Sequence, residues 1–507
     1  MRAMIPKRRA FAMAVPRTLE ELNQHPVFSY FLWLCEIPHA SFKEKALSNA
    51  IYTWAKRHEK WMSWQDTHHN LYIRKPATPG YEEKPVLLFQ AHLDMVCVAA
   101  PGVVHDFNKD PLTLVLEGDR LTTGGRTTLG ADDGIGVALA MALLDDETQA
   151  HPEIEVLFTT AEEEDFSGAA AADIDWFHSH QLINIDNARE NHATTGSAGG
   201  YGIHYEKTVT PEKPGKDLTY FKIGVGGMMG GHSGEDIHRG RGSAIRLLSR
   251  MLFAARRAIP IQLAALTGGT FRLAIAREAS AIIGVPTHVR DGFLALMETM
   301  EKALMAEYKG TNPRLFFTKT PVTADEIDAV LSIKETKALI QFLILMPQGV
   351  MEMNGEVPGV VQTSINTGKV DLDLKKGLFT TESEVRSSFD SQRDVVKYRF
   401  DTLIELIGGK LTVYAVYPGW PNHPDSKIKD LATKTYAEVF HKELAATPVH
   451  VGLECGFFLQ KRPDLDCISI GPDAGNLHSP EEWLSIPSTM RMFEFFKEIV
   501  RKVVESC

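Results

Sequence analysis

Cysteine is scarce in this chain: five residues among 507, at positions 35, 97, 455, 467 and 507, with no Cys-x-x-Cys pair. An odd, widely spaced set makes no disulfide framework, and the missing pairs exclude a zinc ribbon or a dithiol redox motif. Long apolar runs are lacking too. No stretch approaches the ~18 residues that a membrane-spanning helix needs. Together these absences point to a reducing, cytoplasmic setting. Positive charge is not in excess: 54 Lys and Arg face 65 Asp and Glu, for a net charge of -11. That balance argues against general nucleic-acid binding, which wants a basic face. There is no internal repeat and no long low-complexity tract. The N-terminal MRAMIPKRRAFAMAVPRTLEEL is basic, then briefly apolar, and acidic residues follow at once. Its apolar stretch is short for a signal h-region, so the segment reads as a disordered leader, with a targeting role left open.

What is present suggests two domains, because a chain of 507 residues is too long for one ordinary core. Strand-like and helix-like segments alternate at first: NLYIRKP, PVLLFQAHLD, EIEVLFTT and QLINID as strands, GIGVALAMALLDD as a helix. Such alternation points to an α/β sheet with parallel strands. The middle differs. GSAIRLLSRMLFAARRA and DGFLALMETMEKALMAEYKG have helical periodicity. TYFKIGVG, TFRLAIAREASAIIGVP and VVQTSINTGKVDLDL read as strands, so an α+β layer is expected there. The last ninety or so residues return to the first style, with the strand CISIG between two helices. A discontinuous domain interrupted by an inserted one fits this order.

Several polar residues follow the apolar runs. His92 and Asp94 end KPVLLFQAHLD; Glu162 and Glu163 end EIEVLFTTAEE; Asp186 ends QLINID; His478 follows the loop after CISIG. In open α/β sheets functional groups gather at the carboxyl ends of strands, so residues distant in sequence can meet there. Asp132 lies in LGADDGIG, before a helix. Each has a plainer reading. His-x-Asp can be a surface turn, Asp133 a helix N-cap, the acidic run from Glu162 a solvated loop, and His478 an ordinary loop histidine. Taken as a set, they are histidine and carboxylate without thiolate, which suits zinc, manganese or cobalt. Two ions sharing a bridging carboxylate would balance such a donor set.

The chain resembles the aminoacyl-histidine dipeptidases, a branch of the co-catalytic dizinc peptidases. The resemblance runs from about Pro26 onward through IRKPATPG, LFQAHLDMV, VHDFNKDP, TTLGADDGIG, GGHSGEDIH, GVVQTSINTG, YPGW, GLECGFF, SIGP and HSPEEW. It implies a catalytic α/β domain with a mixed sheet flanked by helices (17–200 and 417–507) and an inserted α+β lid domain (201–416). The active site would lie in the cleft between them. It implies that His92, Asp132 and Asp186 hold one divalent ion and that Asp132, Glu163 and His478 hold the other. Asp94 would orient His92, and Glu162 would be the general base for the attacking water. His232, in GGHSG, would stabilise the oxyanion; a glycine-rich tight turn is its plainer reading. Arg386 would take the substrate's carboxylate, although from sequence alone a surface arginine on a strand is the preferred reading. Ser243, His450 and Glu454 fall in family blocks on the substrate side. The implied reaction is metal-dependent hydrolysis of dipeptides of the Xaa-His kind, such as β-Ala-His, with two ions, zinc or else manganese or cobalt, in a cytoplasmic homodimer.

The chain also departs from the family's pattern. Asp165 stands where glycine is usual, and Asn187, Ala188 and Arg189 follow the aspartate ligand. Ser243 replaces an asparagine, and Leu273 and Ala276 replace an asparagine and a proline. These changes leave open an amidohydrolase for N-acyl amino acids or other small peptides, and a catalytically inactive relative that binds metal or peptide.

Overall fold

The computed structural model describes residues 15–505, so most of the expected leader lies outside the described residues. The chain forms two compact units. The first holds residues up to Gly196, Asn422–Pro448 and Glu454–Cys507; the second holds Ser197–Pro421 and Val449–Leu453. The short return at Val449–Leu453 divides the HVGLECG block, giving His450 to the second unit and Glu454 to the first.

Among the described residues, eight strands make the main sheet of the first unit. Their order is Met62–Gln65, Leu71–Lys75, Ile154–Thr159, Leu87–His92, Gln181–Asn184, Asp466–Ser469, His192–Thr194, Ala445–Thr447. The sheet is mixed. Ile154–Thr159, Leu87–His92, Gln181–Asn184 and Asp466–Ser469 run parallel, while Leu71–Lys75 joins antiparallel. Every residue of Leu87–His92 and Ile154–Thr159 is buried. That explains their continuous apolar runs, since parallel strands are covered on both faces. The helix Ala131–Asp145 is apolar nearly all round and packs between the sheet and the helix Pro26–Leu34. The last helix, Ile486–Glu505, places Phe493, Phe496 and Ile499 in the same core.

The second unit is an antiparallel sheet built around the long hairpin Val361–Asp373 and Leu378–Ser387. The helices Ala244–Ala258, Arg290–Tyr308, Ile333–Leu345 and Asp390–Ile407 share its separate core. One expected strand is only partly there. The strand in TFRLAIAREASAIIGVP begins only at Ala279. The preceding segment bonds instead to the glycine-rich loop, with Ile275 N–H donating to Gly231 O and Ser233 N–H to Leu273 O. No described helix is long and apolar enough to cross a membrane.

Candidate active site

Three parallel strands of the first unit end side by side. His92 pairs with Thr159, and Gln90 with Asn184. Glu162 and Glu163 follow Thr159 by a few residues, and Asp186 follows Asn184 by two, so all reach the same sheet edge. The glutamate pair stands beyond the strand, where period-two alternation no longer sends neighbours to opposite faces. Ala161, with φ 54°, turns the chain just before it.

His92 Nε2 lies 3.2 Å from Asp132 Oδ1, 3.9 Å from Glu162 Oε2 and 4.0 Å from Asp186 Oδ1. The other Asp132 oxygen, Oδ2, is 3.3 Å from His478 Nε2, which is itself 2.9 Å from Glu163 Oε1. Asp132 therefore stands between two histidines, one on each oxygen. Three groups result here, His92–Asp132–Asp186, Asp132–Glu163–His478 and His92–Glu162–Glu163, each with its donor atoms within 4.8 Å of one another; the first two triads share Asp132.

The donor set fits two divalent cations. Glu163 Oε1 is buried and has no hydrogen-bond partner even though His478 Nε2 is so near. A carboxylate oxygen and an imidazole nitrogen 2.9 Å apart can serve as two ligands of one ion. Electrostatics agree. Burial, and then the like charge of Asp132, pushes Asp186 well above the usual carboxylate range. Burial does the same to Glu162, with Asp186 and Glu163 adding to it. Burial also disfavours a charged His92, but Asp132, Asp94, Glu162 and Asp186 outweigh it and push that imidazole above its ordinary range. Asp132 and Glu163 push His478 up to about 10. Packed carboxylates that repel one another want a cation between them. A fourth acidic group, Glu153, Glu155 and His178, is already neutralised by Arg74, 3.1 Å from Glu155.

Around the triads lies a layer of backbone anchors. Asp94 accepts the N–H of Glu162 at 3.0 Å, the N–H of Glu163 at 3.1 Å and the Ser41 hydroxyl at 2.8 Å. His92 Nδ1 lies 3.0 Å from the Asp94 carbonyl oxygen and 3.5 Å from its carboxylate. The Asp94 carboxylate thus holds the glutamate loop, and its carbonyl faces the imidazole. Asp133 accepts the N–H of Gly136 as a helix cap and the N–H of His92 with its other oxygen. Glu482 accepts four successive N–H groups, from Leu129, Gly130, Ala131 and Asp132, at 2.7 to 3.4 Å. Sequence reasoning missed Glu482, Ser41 and the His92 bond of Asp133. Only Asp133 left a trace, its cap spacing to Gly136.

Glu454, expected at the substrate, is fully buried instead. Its Oε2 accepts Gln90 Nε2 and the Thr159 hydroxyl, one layer beneath His92, and burial pushes it up to about 7. A carboxyl with no exposed surface supports the strand ends rather than touching a ligand. The departures from the family pattern in this unit have structural partners. Asn187 donates to Thr194 and to the Ser469 carbonyl, and Asp165 accepts the Ser167 N–H.

The second unit gathers the remaining candidates. His232 Nδ1 accepts the N–H groups of Gly234 and Glu235 at 3.4 and 3.3 Å, so the neutral ring carries its proton on Nε2. Arg386 is no surface residue: it is 4% exposed, on the strand Leu378–Ser387, and its Nη1 donates to the Tyr417 hydroxyl at 2.8 Å. Tyr417 in turn donates to Glu384, which also accepts from Arg272. The Nε of Arg386 has no partner among the described residues. His450 Nε2 meets the Ser364 hydroxyl at 2.7 Å. Ser243 stands at the N-terminus of the helix Ala244–Ala258, with its hydroxyl buried and without a partner among the described residues. Leu273 and Ala276 lend the backbone carbonyls that accept Ser233 and Ala244 N–H.

Burial first, then Arg386, His238 and His232, lowers His450 to about 3. Its unfolded value is about 6.5. As pH falls through that value the unfolded chain takes up a proton that the folded chain refuses. Stability is full above pH 6.5 and is lost on acidification toward 3, by roughly 1.4 kcal/mol per pH unit for this one group. Denaturant unfolding of the wild type and of His450→Gln between pH 4 and 8 should show a gap that narrows as pH drops.

A model of the peptidase family M20/M25/M40 matches residues 88–502. The chain belongs to this family. Among members of known activity, it is 35% identical to the cytosol non-specific dipeptidase of Escherichia coli (strain K12) over 489 residues, 96% of this chain and 99% of the relative. Among solved structures, the aminoacylhistidine dipeptidase from Vibrio alginolyticus matches with a TM-score of 0.87 and 32% identity, covering 97% of this chain and 99% of that one. The aminopeptidase PepT from Bacillus cereus, 14% identical with a TM-score of 0.53 over 96% and 100% of the two chains, shares the fold. The M20/M25/M40 match begins at Leu88, within the strand that delivers His92, and ends within the last helix.

Proposed function

We propose that this chain is a metal-dependent dipeptidase of the cytosol, acting on Xaa-His dipeptides. The observation that carries the reading is Asp132, shared by two histidine–carboxylate triads, with Glu162 outside both and 3.9 Å from His92. His92, Asp132 and Asp186 would hold one ion, and Asp132, Glu163 and His478 the other. Bound zinc, or manganese or cobalt in its place, supplies Lewis acidity that polarises the scissile carbonyl and lowers the pKa of water. Glu162 takes a proton from the attacking water and returns it to the leaving amine. The Asp94 carboxylate keeps that base in place through the Glu162 and Glu163 N–H groups.

His232 offers its Nε2–H to the oxyanion, a role supported by the two N–H groups that fix its tautomer. Arg386, preset by Tyr417 and with a free Nε, pairs with the substrate's carboxylate. The two relatives of about one-third identity differ in their printed specificity, one non-specific and one for aminoacylhistidine. A panel of β-Ala-His, Leu-His, Leu-Gly and N-acetyl-leucine separates the readings. Cleavage of the histidine dipeptides, well above Leu-Gly and without attack on the acetylated compound, is expected. Exclusive cleavage of N-acetyl-leucine would replace this reading with an amidohydrolase.

A further inference from the structure

The segment from His39 to Glu44 runs along the catalytic edge of the first unit, and four ties hold it there. His39 O accepts the N–H of Met95, and Ala40 forms a bridge with Met95. Ser41 donates to Asp94. Glu44 Oε1 accepts two N–H groups at 2.9 Å, one from Phe42 and one from Ala161, the residue before the proposed base. Phe42 is therefore clamped on both sides to the groups that hold Glu162.

What these ties present is unusual. Phe42 has φ 63° and is 57% exposed. A bulky aromatic residue in the left-handed region is held against its own preference, and an exposed ring adds nothing to the core. Such strain persists where surrounding structure over-determines it, and it clusters at functional sites. It clusters here. Of the non-glycine residues with positive φ, Ala161 and Phe166 flank the glutamate pair, while Asn476 and His478 carry the other side of the site.

We propose that Phe42 is a specificity-determining residue, its ring forming an apolar wall for the side chain of the substrate's N-terminal residue. This rests on the dipeptidase reading above. The water that Glu162 activates attacks the carbonyl of the substrate's N-terminal residue, so the side chain brought to the rim beside Glu162 is that residue's.

The test compares Leu-His with Gly-His on zinc-loaded wild type, Phe42→Ala, Phe42→Gly and Phe42→Leu. An apolar side-chain contact of this kind is worth about tenfold or more in discrimination. Phe42→Ala should lower kcat/KM for Leu-His by about tenfold through KM, leaving kcat and the Gly-His parameters near wild type. Phe42→Leu should restore most of the preference. Phe42→Gly relieves the left-handed backbone, so it should melt no lower than wild type yet lose the same discrimination. An unchanged Leu-His to Gly-His ratio, or equal losses on both substrates, would overturn the wall. Wild type that cleaves neither dipeptide would instead sink the dipeptidase reading, a distinct outcome.

Discussion

Glu162→Gln is expected to lower kcat by about a thousandfold while the protein still binds two divalent ions, the range that loss of a positioned general base allows. Glutamine has the shape of glutamate but cannot accept the water's proton. Glu162 also stands outside both triads that share Asp132, so the ion ligands survive the change. Its backbone N–H stays on Asp94. Removing one of several mutually repelling buried carboxylates should leave the metal-free protein at least as stable as the wild type. Steady-state kinetics and elemental analysis on the same preparation check all three points. A kcat within tenfold of wild type would remove Glu162 as the base, whatever the metal content.

Asp132→Asn should do more, since one residue faces both histidines. An amide is a poor bridging ligand and brings no charge to offset two dications. Bound metal should fall from two ions to less than one, and kcat/KM should fall by more than a thousandfold with it. Added zinc should raise the wild-type melting temperature, because a ligand that binds only the folded state contributes about 4 kcal/mol at a thousandfold excess over Kd. That increment should be nearly absent in Asp132→Asn. His478→Gln is the control: it touches one triad, so one ion should remain. Equal metal loss in the two variants would contradict a bridging Asp132.

The convergence of these residues was legible in the sequence for a physical reason. Runs such as VLLF before His92 and EVLF before Glu162 are apolar because their strands are covered on both faces, and parallel strands bring their carboxyl ends to one edge. The anchors were not legible. Glu482 binds only backbone N–H groups, which every sequence has, so no spacing betrays it. Glu44 escapes for the same reason, and Ser41 because a lone hydroxyl has no spacing that points to Asp94. The segment FRLAIA was misread because its apolar pattern suits a strand; its partner is a glycine-rich loop rather than a sheet. The return of Val449–Leu453 to the second unit has no hydropathic signature at all. Glu454 was placed on the substrate side only through its family block, and nothing in that block shows that its carboxyl bonds to Gln90 and Thr159.

The most direct single measurement is hydrolysis of β-Ala-His by metal-free protein as zinc is added stepwise. The two-ion account predicts no turnover without metal and a rise that saturates at two equivalents per chain. Turnover that persists in metal-free protein, or a rise complete at one equivalent, would contradict it.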